Sequence, residues 1–214
     1  MTLSEDLWHE NVEHFRSCTV HPFLTGIVNG DLELDCFKEY IAQDAYFLEL
    51  FAKAYSALAS RALEWSNFLR LHALVQGVVE ERQLHNEYAQ RWSVDLSDSK
   101  PLASTIAYTN LIFGYLDRFP GSLSPLASML PCMKLYLELA RWVAEQDSYQ
   151  AESNPYSEWV STYASSSFEE LVRTLEDLVG THCSKDEITS EMYSSAMKCE
   201  YDFFSAVIKN PSTP

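Results

Sequence analysis

The sequence predicts an all-α protein, a single-domain bundle of seven to eight helices that spans residues 1–214. Apolar residues recur every three or four positions over long stretches, which is the period of an α-helix, and no stretch alternates as a half-buried strand does. Only 6 glycines and 8 prolines occur in the 214 residues. So few turn formers argue against a sandwich or barrel and favour long helices joined by short loops.

The order of the helices follows from this periodicity and from the residues that start and stop it. The expected ranges, in chain order, are about 4–17, 35–61, 64–92, 102–118, 122–146, 156–163, 166–180 and 186–209.

Capping and breaking residues set the expected boundaries. Ser4 is the expected N-cap of the first helix, and the breakers within 21–31 predict a turn after it. The polar segment 95–101 separates the third helix from the fourth, and Pro120-Gly121 ends the fourth. The segment Ser166-Ser167-Phe168-Glu169 has the pattern of a capping box.

Composition and charge exclude several classes of protein. Hydrophobic residues make up 47% of the chain and charged residues 21%, which is typical of a folded protein and not of a disordered one. The chain has 15 Lys and Arg against 31 Asp and Glu, a net charge of −16. Such a chain is repelled by phosphate backbones and by anionic membrane surfaces, so we expect neither nucleic acid nor membrane as a partner.

The sequence also indicates a compartment. No run of about 18 apolar residues occurs, and the N-terminal segment is acidic where a signal peptide is basic. The five cysteines are odd in number, and no two have the spacing C-x-x-C. A disulfide framework or a zinc finger is therefore not expected, and we predict a reduced, cytoplasmic protein.

One carboxylate lies within the apolar seam of the second predicted helix. Asp44 has the spacing of the seam residues Phe37, Ile41, Leu48, Phe51 and Tyr55. A buried carboxylate is costly unless something binds it. Asp44 is therefore either a hydrogen-bonded structural residue or a ligand-binding one.

A second carboxylate touches the apolar seam of the last predicted helix. Glu200 lies one turn from Ala196, Phe203 and Phe204. Apolar surroundings raise the pKa of a carboxyl group, and a glutamate that titrates near neutral pH suits general acid–base catalysis. The alternative is a glutamate that extends off the edge of the seam into solvent.

Cys132 follows a proline inside the most apolar helix. Pro131 removes one backbone hydrogen bond and frees the carbonyl of Ala127, so the helix must kink there or restart. If it restarts, Cys132 lies at a positive helix end, which favours the thiolate. A cysteine in an apolar helix otherwise serves packing alone.

Glu81 and His85 lie four residues apart in the seam of the third predicted helix. This spacing is able to supply two metal ligands, but an internal hydrogen-bonded pair is the more common explanation for it. A di-iron site needs further His and carboxylate ligands from facing helices, and the last helix contains no His. We therefore expect no metal and no other cofactor.

Several short segments, taken in order and spacing, identify a family. They are His21-Pro22-Phe23 with Gly26-Ile27, 40–44 with Phe51-Ala52, Glu80-Glu81 with Leu84-His85, Leu130-Pro131-Cys132 with Tyr136, Glu158-Trp159 with 162–164, and 199–201. From about Leu7 to Val207 the chain resembles TenA, or thiaminase II, of the TenA/PqqC group with the haem-oxygenase-like fold. The cysteine after Leu130-Pro131 places it with the cysteine-containing class.

This resemblance implies an activity. The cysteine class is associated with hydrolysis of 4-amino-5-aminomethyl-2-methylpyrimidine to the 5-hydroxymethyl compound in thiamin salvage, and with hydrolysis of thiamin. By resemblance, Cys132 would be the nucleophile that adds to the pyrimidine, Glu200 would exchange protons with a ring nitrogen, and Asp44 would hold the amino edge. The remaining expected substrate-binding residues are Phe47, Tyr108, Tyr136, Tyr163, Phe203 and Phe204.

The chain departs from the family pattern at two places that bear on the substrate. Phe47 replaces a tyrosine common in the family, and Met133-Lys134 follows the cysteine where an aromatic pair is frequent. The resemblance also implies a homotetramer or homodimer. Two rival functions are a metal-dependent oxygenase on the same fold and a non-catalytic regulator, since the family has carried a transcriptional-activator label. The missing His in the last helix disfavours the first, and the charge of −16 disfavours direct DNA binding.

Overall fold

The chain forms ten α-helices within residues 1–94, 96 and 100–208, which the computed structural model describes. This part of the chain contains no strand, as predicted. The helices are α1 (Leu3–Glu10), α2 (Val12–Thr19), α3 (Pro22–Asn29), α4 (Leu34–Ala59), α5 (Trp65–Trp92), α6 (Ala103–Arg118), α7 (Leu126–Ala144), α8 (Ser157–Tyr163), α9 (Ser166–His182) and α10 (Glu187–Val207).

The prediction of seven to eight helices was too low because the first predicted helix is two. The break falls at Asn11, which is buried. Its side-chain amide donates to the carbonyl oxygen of Leu7 at 2.9 Å. A side-chain donor that occupies a carbonyl in the last turn competes with the backbone N–H that would continue the helix.

The segment predicted as a turn between the first two helices contains α3. His21 is its N-cap and accepts a hydrogen bond from the backbone N–H of Phe23 at 3.1 Å, and Pro22 takes the first helical position. Gly30 ends the helix with a φ of 73°, a conformation that glycine adopts without strain. The breakers therefore start and stop a short helix instead of preventing one.

Two predicted caps were wrong. Thr2, not Ser4, caps α1 in a capping box with Glu5, while the buried Ser4 hydroxyl donates to Glu176. Ser165 caps α9, one residue before the predicted Ser166, and accepts from the backbone N–H of Phe168 at 3.2 Å.

The longest helices build the core that holds the site. Helices α4 and α5 pack along each other as a hairpin, joined by the short loop 60–64. Helix α7 packs against α8, α9 and α10, and α6 fits between α4 and α10. Buried residues occur all round α7, as its near-uniform apolar sequence predicts.

Two segments of the prediction fall partly outside the described residues. These are the polar break at 95–101 and the end of the last helix, which was expected at about 209 and reaches Val207 in the described part. No helix of the described part is both long and apolar enough to span a bilayer.

Candidate active site

A small cavity lies among α4, α5, α7, the end of α8 and α9. It contains four of the residues that the sequence indicated, Asp44, Cys132, Tyr136 and Tyr163, together with Glu81. The apolar remainder of its wall consists of Leu48, Phe51, Gly77, Val78, Met133, Phe168 and Leu171. Its free volume is about 10 Å³, about enough for a single water molecule. A ring-sized ligand therefore requires lining side chains to change rotamer.

Asp44 is buried within the α4–α5 hairpin and is paired with a histidine. It is 4% exposed, and its Oδ2 lies 2.7 Å from Nε2 of His85. The other ring nitrogen of His85, Nδ1, lies 2.9 Å from the backbone carbonyl of Glu81. A carbonyl oxygen only accepts, so Nδ1 carries a proton, and Nε2 faces a carboxylate. Both surroundings favour the doubly protonated imidazolium.

The charge of His85 is set by competing effects. Burial alone would lower its pKa, but the Asp44 carboxylate and the contacts with Glu81 outweigh burial and raise it above the ordinary value. Asp44 therefore meets a cation on one side, while the hydroxyl of Tyr40 donates to it weakly at 3.4 Å. Asp44 is held in place by these contacts and also faces the cavity.

Glu81 makes a different contact from the one expected. Its side chain does not bond to His85. Instead its Oε1 accepts from the Tyr163 hydroxyl at 2.6 Å. Burial, followed by the Asp44 charge, raises the pKa of Glu81 to about 7. Within residues 1–94, 96 and 100–208, no three His, Cys, Asp or Glu side chains are grouped so as to hold a metal ion.

Glu200 is buried, so the alternative of a glutamate extending into solvent was wrong. It is 2% exposed, and its Oε1 accepts from the hydroxyl of Tyr108 at 2.7 Å. Burial raises its pKa to about 8, against the opposing effect of the Tyr108 hydrogen bond. The raised pKa predicted from its apolar neighbours is confirmed. Glu200 and Tyr108 do not line the cavity itself, but Glu200 is close enough for its charge to act on Cys132.

The four remaining predicted aromatic side chains pack into one layer with the site. Phe47 lies with its ring centroid 4.8 Å from that of Tyr108 and 6.1 Å from that of Phe203. The ring of Phe204 lies 5.7 Å from Tyr136. Phe47, Phe203 and Phe204 are buried and do not line the cavity. A flat ring entering from the cavity would meet this layer.

Cys132 lies on an uninterrupted helix. Helix α7 begins at Leu126 and continues through Pro131, so Cys132 does not lie at the start of a new helix. No positive helix end therefore stabilises its thiolate form. Burial and the charges of Glu200, Glu81 and Asp44 hold the pKa of the thiol well above its ordinary value. The thiol is therefore neutral at rest, in contrast to the thiolate that a restarted helix would favour.

A wider, more open vestibule adjoins the cavity between α5 and α9. It has a volume of about 300 Å³ and shares Gly77, Glu81, Phe168 and Leu171 with the cavity wall. Thr162, Ser165 and Ser167 line its outer part. Helix α5 approaches α9 so closely here that a Cβ at Gly77 would clash with Cδ1 of Leu171. We call these four shared residues the neck, because they form the wall between cavity and vestibule.

The sequence did not assign two members of this site, His85 and Glu81. Their i, i+4 spacing in an apolar seam marked them, but it did not distinguish a pair bonded to each other from two residues bonded elsewhere. The missing information was that Asp44 and Tyr163 face them from α4 and α8.

The chain is similar to proteins of one known family. The model of the TENA/THI-4/PQQC family matches residues 8–210. The chain is 30% identical over 209 residues to an aminopyrimidine aminohydrolase of Bacillus subtilis, covering 94% of this chain and 86% of that protein. It is also 29% identical over 208 residues to a mitochondrial bifunctional TH2 protein of Arabidopsis thaliana, of whose length the match covers only 34%.

Solved structures give the fold. A TenA homologue from P. horikoshii OT3 superposes with a TM-score of 0.85 at 22% identity, covering 97% of this chain and 98% of that one. The fold is thus the haem-oxygenase-like helical bundle that the family resemblance implied. With nearly the whole chain matched by the family model, the protein belongs to the TENA/THI-4/PQQC family.

Proposed function

We propose that this protein is an aminopyrimidine aminohydrolase of the thiaminase II type. It replaces the amine of 4-amino-5-aminomethyl-2-methylpyrimidine by hydroxyl and releases ammonia, and it also cleaves thiamin. One observation carries this proposal: a cysteine thiol shares a cavity with the anchored carboxylate of Asp44, close to a buried glutamate whose pKa is about 8. The aminohydrolases among the relatives support the same reaction.

The first step is addition of the Cys132 thiol across the C6–N1 double bond of the ring. The sulfur bonds to C6, and N1 gains a proton. Glu200 is largely protonated at neutral pH, so it gives its proton to N1 and takes up the proton that leaves the thiol. A neutral thiol at rest is compatible with this route because no free thiolate has to form first.

The second step expels the amine. The 4-amino nitrogen feeds its electron pair through C4 and C5, and the bond between the exocyclic carbon and the amine nitrogen breaks, so that the amine, which is an ammonium ion at neutral pH, leaves as ammonia. The positive charge that develops on the 4-amino group is stabilised by the Asp44 carboxylate, which His85 and Tyr40 orient. Water then adds to the exocyclic carbon and loses a proton, which the released ammonia takes up. The same electron movements in reverse then break the bond between sulfur and C6, with Glu200 giving its proton to the sulfur and taking up the proton of N1.

The test is ammonia release from the aminomethyl pyrimidine, with thiamin cleavage in parallel. Cys132→Ser should abolish turnover while helicity and melting temperature stay nearly unchanged. Cys183→Ser is the matched control, because Cys183 is also a partly buried free thiol but does not line the cavity. Near-normal turnover by Cys132→Ser would contradict the covalent role, and inactivity of the wild-type protein on both compounds would contradict the function.

We also propose that the protein acts in the cytoplasm as a homotetramer or homodimer. The TenA resemblance supports assembly, and so do large apolar side chains on the surface, since Leu63 is 99% exposed and Trp65 69% exposed. Light scattering of the purified protein measures its oligomeric state, and a monomer at micromolar concentration would contradict the assembly.

A further inference from the structure

Glu81 occupies a position that the reaction described above leaves unused. It lines both the inner cavity and the vestibule, so it lies at the neck, the wall that the two share. The Tyr163 hydroxyl fixes its Oε1, and it remains partly accessible although most of it is enclosed. The neighbouring charge of His85 is already paired with Asp44. A carboxylate in this position is available to a ligand.

The orientation of the substrate follows from the proposed function, on which this inference rests. Asp44 holds the ring at N3 and the 4-amino group, and Cys132 bonds to C6. Position 5 lies between these two points on the ring, so its substituent extends between Asp44 and Cys132. Both residues share the cavity with Glu81, whereas Glu200, the partner of N1, lies outside that lining. The 5-substituent therefore points to the neck and the vestibule.

We infer that Glu81 recognises a positively charged amine on the 5-substituent of the pyrimidine. An aminomethyl group is an ammonium ion at neutral pH, and its three N–H donors match a carboxylate that one tyrosine already holds in place. Enclosure at the neck strengthens such a contact relative to one in open water. Glu81 is thus a specificity-determining residue for substrates with a small cationic amine, and the amine leaves through the vestibule.

The experiment compares ligands in a Cys132→Ala background, where the ring binds without reacting. Titration calorimetry measures the affinity of the aminomethyl pyrimidine and of 4-amino-2,5-dimethylpyrimidine, which lacks the amine. A charge-assisted contact predicts that the aminomethyl compound binds about 10- to 100-fold more tightly. Adding Glu81→Gln should reduce that ratio at least about tenfold, and the affinity of the dimethyl compound should change much less.

A neighbouring glutamate provides the matched control. Glu80 also lines the vestibule, but it is exposed and accepts a hydrogen bond from Gln76. Glu80→Gln therefore removes the same charge from the vestibule wall without touching the contact between Glu81 and Tyr163. It should keep the preference for the amine. The 5-hydroxymethyl compound is neutral and similar in size to the aminomethyl compound. Its affinity for Cys132→Ala tests the effect of the charge without any change at Glu81, and it should bind like the dimethyl compound.

The outcomes separate this inference from the proposed function. Loss of the amine preference in Glu81→Gln but not in Glu80→Gln supports the inference about Glu81. Three outcomes overturn the inference while leaving the aminohydrolase function intact. The amine preference survives Glu81→Gln, it is lost equally in Glu80→Gln, or it is already absent from Cys132→Ala alone. If neither the dimethyl nor the aminomethyl compound binds, the proposed function fails, and the inference fails with it.

Discussion

The imidazole of His85 lies with its Nε2 2.7 Å from Oδ2 of Asp44, and both side chains are almost fully buried. This pair joins α4 to α5 at the floor of the site. Breaking a buried ion pair by removing one partner leaves an uncompensated charge, which is strongly destabilising. The pair therefore both stabilises the hairpin and fixes the carboxylate that is proposed to hold the substrate.

The Asp44–His85 pair predicts a strong energetic coupling. Asp44→Asn and His85→Gln should each lower the free energy of unfolding by about 3–5 kcal/mol, and the double variant should lose clearly less than the sum. Urea unfolding of all four proteins measures this coupling. His72→Gln, an exposed histidine on the same helix, should have little effect. Additive losses would show that the two side chains do not interact.

Glu200 predicts the pH dependence of turnover. Its proton is needed in ring addition, and burial raises its pKa to about 8, so turnover should fall as the pH rises above about 8. Glu200→Gln donates a hydrogen bond but transfers no proton. Its rate should be lower by about two orders of magnitude or more, without the alkaline limb, while pyrimidine binding falls much less. The measurement is turnover against pH; matching profiles and rates would reduce Glu200 to a packing residue.

The Tyr108 hydroxyl provides a finer test of the same group. Burial raises the pKa of Glu200, and the hydrogen bond from Tyr108 lowers it by stabilising the carboxylate. Tyr108→Phe should therefore move the alkaline limb of the pH–rate profile to higher pH. Tyr115→Phe, on the same helix but away from Glu200, should leave the limb in place. A shift to lower pH in Tyr108→Phe would contradict this account of the hydrogen bond.

Stability should also decrease with rising pH. The pKa of Glu200 rises from 4.5 to about 8 on folding and that of Glu81 from 4.5 to about 7, so the folded state binds these protons more tightly than the unfolded chain. The free energy of unfolding then decreases from about pH 4.5 up to about pH 8 because of Glu200, and up to about pH 7 because of Glu81. Each group contributes a decrease of up to about 1.4 kcal/mol per pH unit. His85 acts in the same direction, since its raised pKa stabilises the fold below about 6.5 and this contribution is lost as the pH passes its folded-state pKa.

Urea midpoints at pH 5 and pH 9 measure this effect. Glu200→Gln should show a smaller decrease between the two pH values than the wild-type protein. Glu152→Gln, an exposed residue in the loop before α8, should show the full decrease. An equal decrease in all three proteins would mean that Glu200 does not contribute to it.

The sequence by itself determined the helical class and the face on which each polar residue lies. A period of 3.6 residues is a local property, so it placed Asp44 and Glu200 in apolar seams and thereby predicted the raised pKa of Glu200. It placed the ends of helices less well, because Asn11 and Ser165 act through single side-chain hydrogen bonds that compete closely with alternatives.

Only the tertiary structure decided which side chains meet. Tyr108 and Glu200 are separated by 92 residues, and Glu81 and Tyr163 by 82. Periodicity identifies the face of a helix but not the helix that packs against it, and one turn of sliding between two helices changes every partner. For the same reason the thiolate that a restarted helix would favour at Cys132 was wrong. The charge of a thiol depends on burial and on carboxylates brought near by other helices, not on the proline beside it in the chain.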